Sequence, residues 1–142
     1  MRRPLVGVLL VLTAACSATV PKAELIVRGD TICAELNDQI DRLAGAGDDD
    51  GVPVGPYFEA FARLLSEAVE EIKAIGAPEE DAETFDVMLA HLDHAVENLE
   101  EAATALGEQD DETADAAAQA AFAGIEAFNR LAEDFGFEDC AG

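Results

Sequence analysis

Apolar residues recur at three- and four-residue intervals through four stretches of the chain, and no stretch shows the alternation of a strand. The first predicted helix runs from about Ala23 to Ala44, with a stripe of Ile32, Leu36, Ile40 and Leu43 and with Cys33 beside it. Gly29-Asp30 either starts its strong part or weakens it, and Gly45-Ala46-Gly47 ends it. An acidic loop, Asp48 to Gly55, leads to Pro56, which fits the first position of helix two. That helix carries Phe58, Phe61, Leu65, Ala68, Ile72 and Ile75, the narrow seam of a bundle helix, and Gly76 stops it. Pro78-Glu79-Glu80-Asp81 starts helix three, since proline suits the first turn and acids suit the positive end of the helix dipole. Its stripe is Phe85, Met88, Leu89, Leu92, Val96, Leu99, Ala103 and Leu106, with Gly107 as the stop. Asp110-Asp111-Glu112 opens helix four, lined by Ala114, Ala118, Ala121, Phe122, Ile125, Phe128, Ala132 and Phe135. Gly136 caps it and Phe137 supplies the apolar contact beyond.

Ahead of these helices, Arg2-Arg3 precede a dozen apolar residues, and small residues then meet Cys16. That order is the charged, apolar and cleavage-region layout of a secretory signal, and the apolar run is short of the roughly 20 residues that cross a bilayer. The segment Thr13-Ala14-Ala15-Cys16 resembles the lipobox of bacterial lipoproteins, with Ala14 and Ala15 in the two small positions and Thr13 where leucine is usual. The resemblance implies that residues 1–15 are removed, that Cys16 is diacylated, and that residues 16–22 are a spacer before a domain over 23–142. The protein would then be held on the outer face of the cytoplasmic membrane by its lipid. Ordinary cleavage after a small residue gives instead a freely secreted protein.

Removal of Cys16 to lipid leaves Cys33 and Cys140, and in an oxidising compartment such a pair is expected to form a disulfide. Short connections favour antiparallel neighbours. The expected fold is therefore all-α: an up-down-up-down four-helix bundle whose C-terminal tail is tied to helix one. The start of helix one and the end of helix four share an end in that topology. Cys33 lies about 15 Å along helix one, so the tail after Gly136 must fold back along that helix to reach it.

Charge narrows the partners. The chain has 31 acidic and 8 basic residues, and loss of Arg2 and Arg3 leaves 6 basic against 31 acidic, a net charge of −25. Such a polyanion repels nucleic acid and anionic head groups; its acidity is either a solvation feature of a high-GC or salt-adapted chain with no partner, or the complement of a basic protein. Half of the residues are apolar, enough for a core. The helix pattern, Ile32-Cys33, Pro78 between the middle helices and the ending Gly136-Phe137-Glu138-Asp139-Cys140 together resemble small exported proteins of Actinobacteria. That resemblance implies a helical bundle with a terminal disulfide and no particular activity.

Candidate chemistry is sparse. His91 and His94 sit three apart on helix three, with Glu97 on the same side, but Leu92 marks the core direction and a tight metal site needs three or four convergent ligands. Neither histidine has a glutamate three residues before it, so the di-iron pattern of bundles is not met. No Cys-x-x-Cys-His occurs for covalent haem, and no phosphate loop, strained nucleophile turn or zinc-protease motif is present. The expectation is a protein without catalytic activity or cofactor that acts through protein contacts. The alternative is a carrier of a metal, a haem or a small apolar molecule in the bundle interior. Loops one–two and three–four fall at the end remote from Cys16, so Asp48, Asp49 and Asp50 are expected to meet Glu108, Asp110, Asp111 and Glu112 in an acidic tip.

Overall fold

The computed structural model describes residues 20–45 and 53–142. They form α1 (Lys22–Gly45), α2 (Val54–Ile75), α3 (Ala82–Glu108) and α4 (Asp111–Phe135), with 3-10 turns at Glu79–Asp81 and Asp139–Ala141. The described residues contain no strand, and no helix among them is long and apolar enough to cross a membrane.

Each helix packs on the next, and the pairs are antiparallel. Gly55 at the start of α2 lies beside Ala103 and Leu106 near the end of α3. The ring of Phe85, early in α3, is 6.1 Å from that of Phe135 at the end of α4. The up-down-up-down bundle expected from the helix pattern is thus the fold observed.

Several boundaries differ from expectation for local reasons. α2 starts at Val54, so Pro56 occupies the third helical position. The first four helical N–H groups have no partner within the helix, so proline is tolerated there too. Pro78 opens a 3-10 turn, and α3 proper begins at Ala82. Gly107 does not stop α3. The chain reverses at Gln109, which takes φ 63° while Asp110 N–H reaches back 2.9 Å to the carbonyl of Ala105. α1 runs unbroken through Gly29 and Asp30. Gly29 is required by contact: a Cβ there would sit 2.5 Å from Cε1 of Phe137.

Leu25, Val69, Ile72, Met88 and Leu99 are the largest fully buried side chains, and no polar or charged residue is buried among the described residues. α3 and α4 meet along small residues, including Ala95, Ala102, Ala117 and Ala121, all buried. Gly124 belongs to this seam, since a Cβ on it would lie 2.9 Å from the His91 carbonyl oxygen. At the end holding the start of α1, Lys22 Nζ stands 4.0 Å over the Phe135 ring and 3.0 Å from Asp81 Oδ1, joining α1 to α4 and to the α2–α3 connection.

The fourth wall of the bundle departs from the simple picture. α1 packs on α2 and on the C-terminal turn, and that turn packs on α4, so α1 meets α4 chiefly through the tail. Only Leu25, Gly29 and Cys33 of α1 are buried, all in its first half. Leu36, Ile40 and Leu43, read as core, are half-buried, as is Ile125 on α4. Phe122, also read as core, is 49% exposed.

Candidate functional site

The tail explains that spacing. After Gly136, at φ 112°, the chain turns back and lays Phe137 over Gly29, stacked on Phe135 with ring centroids 5.4 Å apart. Asp30 then caps the C-terminal turn from the side of α1. Its Oδ1 accepts the backbone N–H groups of Glu138, Asp139 and Cys140 at 3.0, 2.9 and 3.3 Å. Asn37 Nδ2, two turns along α1, donates to the Asp139 carbonyl at 3.2 Å. With its amide oriented so that Nδ2 faces the acceptors, Asn129 of α4 donates to the carbonyls of Ile125 and Cys140, at 3.2 and 3.3 Å. Cys140 completes the joint in a disulfide to Cys33, with Cα atoms 5.1 Å apart. The tail is therefore a wedge, bonded to α1 on one side and to α4 on the other.

Beyond the wedge no described residue fills the space between α1 and α4, and a cavity of about 90 Å³ lies there. Its floor is Phe61 and Leu65 of α2; Leu36 and Ile40 form one wall, Ile125 and Phe128 the other. Asn37, Asn129 and Asp139 stand at its polar rim. Phe122 extends the α4 wall, its ring 6.4 Å from that of Phe61.

The other candidate residues fall as follows. Cys16, Asp48, Asp49 and Asp50 lie outside the described residues. Asp110 is the N-cap of α4, accepting from Thr113 N–H at 3.1 Å and from the Thr113 hydroxyl at 2.7 Å. The hydroxyl bond, and then the N–H bond, hold its carboxyl below the usual carboxylate range. Asp111 and Glu112 are exposed in the first turn of α4, which favours acids, and Glu108 ends α3. His91 is half-buried, and His94 is exposed with Nδ1 3.2 Å from Glu97 Oε2. The described residues contain no group of three or more His, Cys, Asp or Glu placed to hold a metal. On the α2–α3 surface, Lys73 Nζ lies 2.8 Å from Asp93 and 3.2 Å from Glu70; the Asp93 bond above all raises its pKa.

Sequence reasoning missed Asp30, Asn37 and Asn129 as tail partners. The available signal was Gly29-Asp30 inside an otherwise helical pattern: a glycine for close approach beside an acid able to cap another turn. Comparison of the chain with protein-family models, with curated proteins and with solved structures found no match.

Proposed function

We propose that the protein is a lipid-anchored, extracytoplasmic helical bundle on the outer face of the cytoplasmic membrane, acting through protein contacts rather than catalysis. The observation that carries this reading is the interior, which holds no buried polar or charged residue among the described residues. Catalysis and cofactor binding call for convergent polar groups in a recess, so an apolar interior among the described residues supports the contact reading. The Cys33–Cys140 bond fits a chain that folds outside the reducing cytoplasm. The cavity of about 90 Å³ is smaller than the roughly 150 Å³ that holds a benzene-sized molecule, which favours a contact surface over a carrier.

The test is detergent-phase partition of host-made protein. Wild type is expected in the detergent phase and Cys16→Ser in the aqueous phase, because one diacylated residue is the anchor. Equal partition of the two overturns the anchored reading. Native mass spectrometry of the same preparation addresses the contact reading. A stoichiometric small-molecule adduct would overturn it in favour of a carrier.

A further inference from the structure

We propose that the cleft between the C-terminal half of α1 and the middle of α4 is a docking groove for a basic amphipathic helix of a partner protein. The proposal rests on the protein-contact reading above and names the surface and the chemistry of the partner.

Shape comes first. The tail wedge stands between two bundle helices, and the strip beyond it has an apolar floor and walls, Ile40, Phe61, Ile125 and the half-exposed Phe122, with Asn37, Asn129 and Asp139 at the rim. The cavity in its floor suits the end of one leucine side chain, and Phe122 offers a lip for a second. A partner helix with apolar residues at i, i+3, i+4 and i+7 would complete the packing that α1 and α4 do not make with each other.

Charge then selects the occupant. Asp41 lies one turn beyond Asn37 on the exposed flank of α1, and Asp139 of the tail lines the cavity. α3 has no Lys or Arg, and Arg130, the sole cation of α4, is bound to Glu126 at 2.9 Å. A second copy of this chain would bring a net charge of −23 against its own surface, so self-association through the groove is opposed. A helix with Lys or Arg flanking an apolar stripe meets attraction at Asp41 on the α1 wall and at Asp139 of the tail.

The probe is a synthetic helix with leucine at i, i+3, i+4 and i+7 and lysine elsewhere, titrated into the full chain at physiological salt. The methyl resonances of Ile40 and Ile125 in the wild-type protein are expected to shift and saturate. A control peptide with serine for leucine, and another with glutamate for lysine, are expected to bind at least tenfold more weakly. Ile125→Ser and Ile40→Ser should each weaken the Leu/Lys peptide at least tenfold, while Val87→Ser, an exposed apolar change on α3, leaves the Kd within twofold. Unmoved Ile40 and Ile125 methyls overturn the groove, and this reading needs no variant to fold. Equal binding of the serine peptide overturns it too, since attraction is then charge alone. These outcomes are separable from the anchored reading: detergent partition through Cys16 can persist when the groove fails, and can fail when the groove binds.

Discussion

Replacing Cys33 and Cys140 by alanine should lower stability by several kcal/mol and release the tail without unfolding the helices. The bond closes a loop of 107 residues, for which loss of denatured-state constraint has a ceiling of about 4.7 kcal/mol. What remains to hold the tail is the burial of Phe137, the Asp30 cap, and the Asn37 and Asn129 bonds. These are together about 5 kcal/mol at ordinary values. Ordering the six residues after Gly136 costs about 6 kcal/mol at roughly 1 kcal/mol each. The two sides nearly cancel, so the unlinked tail should be docked only part of the time. Urea unfolding of oxidised wild type and the double alanine variant, followed by far-UV circular dichroism, measures the first quantity. Hydrogen exchange at Glu138, Asp139 and residue 140 measures the second. Helical content should be unchanged, the unfolding slope steeper because the denatured chain is less constrained, and protection of those three amides largely lost. A stability loss under about 1 kcal/mol, or full amide protection without the bond, would refute the account of the tail as a wedge held chiefly by its cross-link.

Two helical glycines should respond oppositely to alanine. Gly124→Ala brings a methyl to 2.9 Å from the His91 carbonyl oxygen, and the overpacking cost of about 1–3 kcal/mol outweighs the gain of about 1 kcal/mol in helix propensity. Gly107→Ala meets nothing within 4 Å, so it should stabilise by up to about 1 kcal/mol; thermal melts that rank the two the other way refute the packing of α3 on α4. The folded pKa of Asp110 is lowered by Thr113, so its contribution is fully present above the ordinary carboxylate pKa and is lost as pH falls through the lowered folded value. Asp110→Asn, which still caps, should therefore melt lower than wild type at pH 7 and converge with it in strong acid; parallel curves at all pH values refute the charged cap. Sodium chloride should raise the melting temperature through screening of 31 acids against 8 basic residues, and a salt-independent melt would show that the carboxylates do not strain the fold.

The fold was largely legible because each helix advertises itself locally. Asp110 before Asp111-Glu112, and Gly136 followed by Phe137, are end signals whose mechanism lies within one turn, and both act as read. Signals that depend on a neighbour were less legible. Gly29 looks like a helix weakness until Phe137 is seen above it, and Gly107 looks like a stop though nothing nearby requires one. The groove was hidden for the same reason. Leu36, Ile40, Phe122 and Ile125 have the spacing of core residues, and their exposure follows from a tail that separates α1 from α4, which periodicity cannot express. The alanine seam of α3 and α4 was half-visible: Ala114, Ala121 and Ala132 fell on the predicted stripe, whereas Ala95, Ala102 and Ala117 lie beside it and are buried by close helix approach.

The capping of the tail by Asp30 bears on why this chain has one native arrangement. An interior of Leu, Ile, Val, Phe and Ala packs by shape alone, and in helical assemblies such interiors discriminate poorly between neighbouring registers unless a polar group marks one of them. Asp30 places that mark at the rim. A slide of α1 by one turn would carry its carboxylate about 5.4 Å along the axis and break all three N–H bonds from Glu138, Asp139 and Cys140 at once. The same slide would part Cys33 from Cys140 before any cross-link could form. The carboxylate thus acts as an alignment pin, and oxidation afterwards locks the one register in which the pin is seated.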